Sequence, residues 1–94
     1  MDVRYKPTYS RDLRKIKSDA DLVKALFNTI NNLKAAKNIQ GIYHLKKLQD
    51  YTIFYRIKIK LNEKADYRLV MAIRGNIIWL LRFLPRHKVY DEFP

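Results

Sequence analysis

The segment from Thr52 to Leu61 alternates between two sets of side chains, one apolar and one largely basic. Successive side chains of a β-strand point to opposite faces, so a strand here separates the two sets. The segment therefore predicts a half-buried strand whose second face presents three positive charges. Such a face suits the phosphodiester backbone of RNA. The apolar face carries Ile53, Tyr55, Ile57, Ile59 and Leu61, and the basic face carries Phe54, Arg56, Lys58 and Lys60.

Hydrophobic periodicity predicts the elements around this strand. Apolar residues at spacings of three and four indicate helices, and short alternating or apolar runs indicate strands. The almost wholly apolar run after the Gly75-Asn76 turn predicts a central strand that is buried on both faces and ended by Pro85. In chain order we predict a strand at Val3–Lys6, helices at Tyr9–Lys17 and Asp19–Lys37, a linker at Tyr43–Tyr51, and strands at Thr52–Leu61, Tyr67–Ile73 and Ile77–Leu84.

The order β-α-α-β-β-β predicts an α+β fold, in which a small antiparallel-rich sheet packs against a helical hairpin. The 94 residues suit one hydrophobic core and show no internal repeat, so residues 1–94 are expected to form a single domain. Within the last strand, Trp79 is expected in the core. Arg82 is expected to form a buried pair with a carboxylate such as Asp50 or Asp66.

Charge and composition restrict the function. The sequence has 20 lysine and arginine residues against 9 aspartate and glutamate residues, and the net charge of +11 favours nucleic acid, the ribosome, an anionic membrane or an acidic protein as partner. It contains no cysteine and 2 histidines, so no metal site and no cofactor are expected. No stretch resembles a membrane span or a signal peptide, and the protein is therefore expected in the cytoplasm without a membrane partner.

Three groups of residues, in this order and at these spacings, resemble a known family. They are Lys47–Tyr51 with Phe54–Lys58, Asp66–Val70, and Leu81–Tyr90 with Phe93-Pro94. Together they resemble the RelE/ParE toxin superfamily, most closely its RelE- and HigB-like branch, over essentially the whole chain. The resemblance implies a toxin of a type II toxin–antitoxin system that cleaves mRNA on the ribosome without a metal and is inhibited by a cognate antitoxin. The positive charge predicts that this antitoxin is acidic.

The resemblance also implies roles for individual residues. The family's paired basic residues fall on Arg56 and Lys58, or on Lys58 and Lys60 if the register moves one step along the same face. Its later arginines fall on Arg68 and Arg86, which are expected to stabilise the phosphate. Both are expected on an exposed polar face, so that truncating either one leaves the fold intact.

Proton transfer is the other role that the resemblance assigns. Lys58 and Tyr90 are expected to share it, with His87 as a substitute acid because many relatives have histidine where this chain has Pro85. The residues implied in catalysis are therefore Lys58, Arg68, Arg86, His87 and Tyr90. The residues expected to bind RNA are Phe54, Arg56, Lys60 and Lys88.

Other functions remain open to this sequence. A ParE-type toxin shares the fold but acts without catalysis, by binding DNA gyrase or another topoisomerase. A generic RNA-binding module is a weaker possibility, and the three cations of the alternating strand could serve only to prevent pairing at a sheet edge. The convergent basic residues favour the endonuclease, because a protein that only binds has no need for a cationic site of this kind.

Overall fold

A computed structural model describes residues 1–48 and 53–92, without the side chains of Tyr90 and Glu92. Its elements, in chain order, are β1 (Asp2–Tyr5), α1 (Pro7–Ile16), α2 (Ala20–Ala35), a 3-10 turn (Ile39–Gly41), β2 (Leu45–Lys47), β3 (Phe54–Lys60), β4 (Asp66–Arg74), β5 (Ile77–Pro85) and α3 (Arg86–Glu92). The strands form one five-stranded sheet in the order β1-β5-β4-β3-β2, in which β1 and β5 are parallel and the other neighbours antiparallel. The predicted α+β fold with an antiparallel-rich sheet and a helical hairpin is confirmed.

The hairpin of α1 and α2 covers one face of the sheet. Helix α1 begins at Pro7, whose missing N–H is not needed in the first turn. Helix α2 begins after Asp19, whose carboxylate accepts a hydrogen bond from the Leu22 N–H at 3.1 Å. The helix ends two residues before the predicted Lys37, because the backbone is already extended at Ala36. Its buried stripe consists of Leu22, Leu26, Ile30 and Leu33.

The main core lies between this hairpin and alternate residues of the strands. Ile57 and Ile59 of β3 are buried, whereas the intervening Lys58 is exposed, as the sequence alternation predicted. Removing these side chains from water supplies most of the folding energy of such a layered domain. The buried strand residues facing the hairpin are Ile57, Ile59, Leu69, Met71, Ile73, Ile78, Leu80 and Phe83. No helix in the described part of the chain is long and apolar enough to cross a membrane.

The structure adds a short strand and a helix to the predicted order. Strand β2 pairs with β3 from Leu45 opposite Ile57 to Lys47 opposite Tyr55, so the predicted linker at Tyr43–Tyr51 is wrong at this point. Residues 86–92 form α3 rather than an extended tail. A second cluster of buried residues comprises Val70, Leu84 and Val89, with Leu48 packed against it. Because neighbouring Leu69 and Phe83 face the hairpin, α3 lies on the opposite face of the sheet.

Strand β5 is central, as predicted, since it pairs with β1 on one side and β4 on the other. Its burial on both faces is only partly confirmed. Trp79 is half-buried and does not belong to the core, so that prediction is wrong. Trp79 and Phe54 both lie opposite Ala72, on the face away from the hairpin. Helix α3 packs on the other end of this face, against Val70 and Leu84, and so Trp79 keeps contact with solvent.

The predicted ion pair of Arg82 exists, but its partner is Asp12 of α1 rather than Asp66, while Asp50 lies outside the described residues. Strand β1 is short and leaves the end of β5 without a neighbouring strand, and α1 crosses this edge. Asp12 accepts hydrogen bonds from Arg82 Nε at 2.8 Å and from the Phe83 backbone N–H at 2.9 Å. Thr8 donates its hydroxyl to the Leu81 carbonyl at 2.7 Å. Side chains of α1 thus satisfy backbone groups that a strand would otherwise pair.

Candidate functional site

The strand register brings the basic residues together on the face that carries α3. Lys58 lies directly opposite Arg68, and Lys60 lies directly opposite Asp66. Side chains directly opposite in an antiparallel pair have Cβ atoms about 5 Å apart. Lys60 Nζ forms an ion pair with Glu63 at 3.0 Å, whereas no ion pair involves Lys58 within the described residues. The register therefore places Lys58, and not Lys60, directly beside Arg68.

Arg68 is buried, with 4 % of its surface exposed, so the expectation of an exposed polar position is wrong. It lies opposite Leu84, in the region where α3 packs over the sheet through Val89. Its Nη1 donates to Asp66 Oδ1 and to the Tyr67 carbonyl, the latter at 3.1 Å. Its Nε is buried and has no hydrogen-bond partner among the residues that the structure describes. A guanidinium in this state is uncommon, because buried donors are nearly always satisfied.

Asp66 has an altered acidity as well as a fixed geometry. The hydrogen bond from Arg68 lowers the pKa of its carboxyl below the ordinary value of 3.8, and burial opposes this change in part. The charges of Arg68, Lys60 and Lys58 lower the same pKa further. Asp66 is therefore a carboxylate throughout the physiological range, and it neutralises part of the positive charge around Arg68.

This pKa gives the Arg68–Asp66 pair a defined dependence on pH. Because the folded-state pKa is lowered, the pair stabilises the fold fully above pH 3.8 and loses its contribution as the pH falls through the lowered value. Urea unfolding of the wild type and of Asp66→Asn at several pH values should show this dependence. The wild-type advantage in free energy of unfolding should shrink below pH 3.8. An advantage that stays constant into stronger acid would contradict the assignment.

A cleft opens beside this pair where β5 passes into α3. Pro85 is the last residue of β5 and lies opposite Tyr67, so Arg86 and His87 begin α3 next to the start of β4. Both side chains are exposed. The cleft has a volume of about 360 Å³ and is lined by Glu63, Lys64, Asp66, Pro85, Arg86 and His87. It is large enough for a phosphate group and part of a nucleotide.

The predicted site residues thus fall into two groups. Lys58, Arg68, Arg86 and His87 gather at one end of the basic face. Phe54 and Arg56 lie further along β3. At the usual rise per residue of a strand, Phe54 is about 13 Å from Lys58. Lys60 lies beside Asp66. Lys88 lines a separate cleft on the α1 side, together with Asp12 and Lys15.

Tyr90 belongs to α3 by its backbone, and its side chain lies outside the described part of the structure, as do Phe93 and Pro94. Sequence reasoning missed Asp66 as a site residue, although Asp66 and Arg68 are two apart on a strand and must share a face. It also missed Lys46, which lies opposite Arg56. Among the described residues, no group of three or more histidine, aspartate and glutamate side chains is placed to bind a metal.

Comparison with solved structures and with known families agrees with this fold. A chain of the RelB–RelE antitoxin–toxin complex from Methanococcus jannaschii superposes with a TM-score of 0.76 at 23 % identity, covering 97 % of this chain and 99 % of that one. A chain of the YoeB dimer from Staphylococcus aureus gives a TM-score of 0.67 at 20 % identity, covering 89 % and 94 %. YafQ from E. coli strain BL21(DE3) gives a TM-score of 0.65 at 14 % identity, covering 95 % of this chain and 97 % of that one.

Sequence comparison then identifies the family. Residues 3–90 match the model of the ParE toxin of type II toxin–antitoxin systems, parDE, and the chain belongs to this family. Toxin RelE3 of Methanocaldococcus jannaschii is 25 % identical over 95 residues, covering 100 % of both chains. The predicted membership of the RelE/ParE toxin superfamily is confirmed. The family model carries the ParE description whereas this relative is named RelE, so the site itself must indicate the activity.

Proposed function

We propose that this protein is a ribosome-dependent mRNA endonuclease that inhibits translation in the cytoplasm. The observation that supports it most is the convergence of Lys58, Arg68 and Arg86 at one end of the basic sheet face, beside an open cleft. Lys58 lies directly opposite Arg68, and Arg86 lines the cleft next to Asp66, the ion-pair partner of Arg68. Cations placed in this way suit the charge that develops on a phosphate during cleavage. The RelE-type resemblance supports the same activity.

The proposed reaction needs no metal. The 2′-oxygen of a ribose attacks the adjacent phosphorus, the bond to the 5′-oxygen breaks, and a 2′,3′-cyclic phosphate and a 5′-hydroxyl result. Arg86, exposed in the cleft, binds a non-bridging oxygen of the phosphate. Arg68 stabilises the negative charge that develops on the same phosphate. Either Lys58 or Tyr90, in its deprotonated form, accepts the 2′-proton, and protonated His87 gives its proton to the departing 5′-oxygen. Arginine is unsuited to proton transfer because it stays protonated.

The RNA is proposed to run along the basic face, away from the cleft. Arg56 and Lys60 extend the row of charge along β3, and Lys46 of β2 adds to it opposite Arg56. Phe54 offers an aromatic surface for a base at the far end, where Trp79 is also partly exposed. Lys88 lies outside this line and is proposed to contact ribosomal RNA or a neighbouring part of the message.

A cognate antitoxin is the proposed protein partner. The chain belongs to a family of type II toxins, and one similar structure is an antitoxin–toxin complex. A net charge of +11 favours an acidic antitoxin, whose charge would speed the encounter and cover the basic face. Segments of this kind often fold only on binding and can wrap a small domain.

Mapping of RNA 5′ ends after induced expression tests the endonuclease directly. New 5′ ends should appear inside translated reading frames within minutes of induction, and blocking translation initiation should remove them. The purified protein should cut the same message when ribosomes are present and leave it intact when they are absent. Intact messages in both experiments, at protein levels that stop growth, would overturn the proposal.

A ParE-type inhibitor of a topoisomerase is the second proposed function, because the family model carries that description. A specific surface also favours it. An open apolar groove of about 500 Å³ lies on the hairpin side, lined by Tyr5, Tyr9, Ser10, Leu13, Phe27, Ile30, Asn31 and Lys34. Tyr5 is 48 % exposed and Phe27 is 47 % exposed, which is unusual for such large side chains. Inhibition of DNA supercoiling by purified gyrase, with messages intact, would support this function.

A further inference from the structure

Arg68 uses its guanidinium differently from the other arginines that pair with aspartate in the described part of the chain. Arg82 binds Asp12 through Nε at 2.8 Å and Nη2 at 3.2 Å. Arg4 binds Asp2 through the same two atoms, at 3.2 Å and 3.0 Å. Both pairs occupy the Nε–Nη2 edge, which matches the two oxygens of a carboxylate or a phosphate.

In Arg68 this edge is not used by its aspartate. Nη1 donates to both Asp66 and the Tyr67 carbonyl, and Nε is buried without a partner in the described part of the chain. A purely structural pair would gain by satisfying Nε, since an unmet buried donor destabilises a fold. The Nε of Arg68 can therefore donate to a further acceptor if the surrounding groups rearrange.

Asp66 stands between Arg68 and the cleft. Asp66 lines the cleft together with Arg86 and His87, whereas Arg68 does not line it and is almost fully buried. A phosphate that enters the cleft beside Arg86 meets the Asp66 carboxylate before it meets the guanidinium. Asp66 binds Nη1, and a phosphate that reaches Arg68 through the cleft passes close to this carboxylate. Two neighbouring anions repel each other, so their joint binding to one guanidinium is disfavoured.

We propose that Asp66 competes with the substrate phosphate for Arg68, and that the scissile phosphate displaces it during binding. In the free protein Asp66 holds the guanidinium in place and keeps it from other anions. On RNA binding the phosphate takes over Arg68, including Nε, and the carboxylate turns towards Lys60, which lies directly opposite it in β3. The inference rests on the proposed endonuclease function and adds a residue that sets the affinity for substrate.

The position of Asp66 allows this exchange. It is the first residue of β4, one residue after the exposed loop 61–64, and 17 % of its side chain is exposed. Lys60 is held in the free protein by Glu63, whose side chain is 92 % exposed. An exposed ion pair of this kind contributes little and separates readily. Lys60 is therefore available to receive Asp66 when the phosphate arrives.

The kinetic test compares Asp66→Asn with the wild type on mRNA bound to programmed ribosomes. Removing the charge of the competitor should lower KM by about tenfold, since a charge-assisted hydrogen bond to the displaced group no longer has to be broken. The value of kcat should change little, because Arg68 meets the same phosphate in the transition state. An unchanged or raised KM overturns the inference, as a residue that only positions Arg68 would produce that result.

Glu63→Gln is the matched control, because Glu63 is a carboxylate that lines the same cleft without touching Arg68. It removes the same charge from the cleft, and KM should fall by no more than about twofold for an exposed group. If Asp66→Asn and Glu63→Gln lower KM equally, the inference is overturned. Repulsion between the carboxylates of the cleft and the RNA phosphate would then explain both results. Absence of cleavage by the wild type is a different result, and it removes the proposed function.

A measurement on the wild-type protein avoids any loss of folding in the variants. The Nε–H resonance of Arg68 can be followed by nitrogen-15 NMR during titration with an RNA hexamer made uncleavable by 2′-O-methyl groups. The resonance should move downfield and exchange more slowly with solvent as Nε acquires an acceptor, while the Asp66 carboxyl carbon shifts with it. The hexamer is added until the shifts of Arg86 and other residues of the cleft reach saturation, which establishes binding. An Arg68 Nε–H that stays unchanged at saturation overturns the inference.

Discussion

Replacing Arg86 with alanine is expected to reduce mRNA cleavage and growth inhibition by on the order of 100-fold or more, because the proposed mechanism loses a donor that stabilises the transition state. Arg86 is exposed at the start of α3 and lines the cleft. Truncating an exposed side chain that has no described ion pair usually changes stability by about 0.5 kcal/mol or less. The loss should therefore appear in the rate of cleavage and leave the unfolding transition in place.

Arg74→Ala provides a control for this experiment. Arg74 is also an exposed arginine and ends β4 at the hairpin turn, at the opposite end of the strand from Arg68. The two variants remove the same charge from the protein, so any general effect of net charge is shared. Growth inhibition should be compared at matched protein levels, together with thermal unfolding of both variants. Equal toxicity of Arg86→Ala and Arg74→Ala would remove Arg86 from the catalytic site.

Arg68→Ala is a less informative variant, because the structure places Arg68 in the interior. Its removal would leave Asp66 without its partner and open a space beside Leu84. A loss of activity could then come either from the missing guanidinium in the reaction or from a destabilised fold. The sequence placed Arg68 on the correct face by strand alternation but could not show that α3 would cover it. That covering depends on Val89, a single apolar residue in a helix with no periodic pattern.

The parts of the fold that the sequence predicted well have strong local signals. The alternation in β3 and the three-and-four spacing in α2 each repeat over several turns or residue pairs. The turn at Gly75 is also confirmed, and its φ of 59° is a conformation that glycine adopts without strain. Strand β2 has only three residues, too few for an alternating pattern to be seen.

The ion-pair partner of Arg82 shows another limit of prediction from sequence. The sequence indicated a buried arginine that required a carboxylate, and this requirement is local. The identity of the carboxylate depends on where α1 crosses the sheet, which brings together residues 70 apart in the chain. Asp12 also lies one turn from Thr8, so both side chains reach the open edge of β5. Only the assembled fold makes this visible.

The same pair supports the largest stability prediction. Asp12→Ala is expected to lower the free energy of unfolding by roughly 3–5 kcal/mol, because it removes a buried carboxylate that accepts two hydrogen bonds from Arg82 and one from the Phe83 N–H. Asp12 is 2 % exposed, so its carboxylate is almost fully shielded from water in the folded protein. The loss is a large fraction of the 5–15 kcal/mol that is typical of a whole domain. Urea unfolding at constant pH and salt measures it.

Asp2→Ala separates the effect of burial from the effect of pairing. Asp2 accepts from the same two atoms of Arg4 that Asp12 accepts from Arg82, but the side chains are 48 % and 55 % exposed. An exposed pair of this geometry contributes about 0–1 kcal/mol, since water solvates both charges when the pair is broken. The two variants thus remove similar bonds from different environments. If Asp12→Ala lowers the free energy of unfolding by no more than Asp2→Ala does, the Asp12–Arg82 pair does not fix α1 to the edge of the sheet.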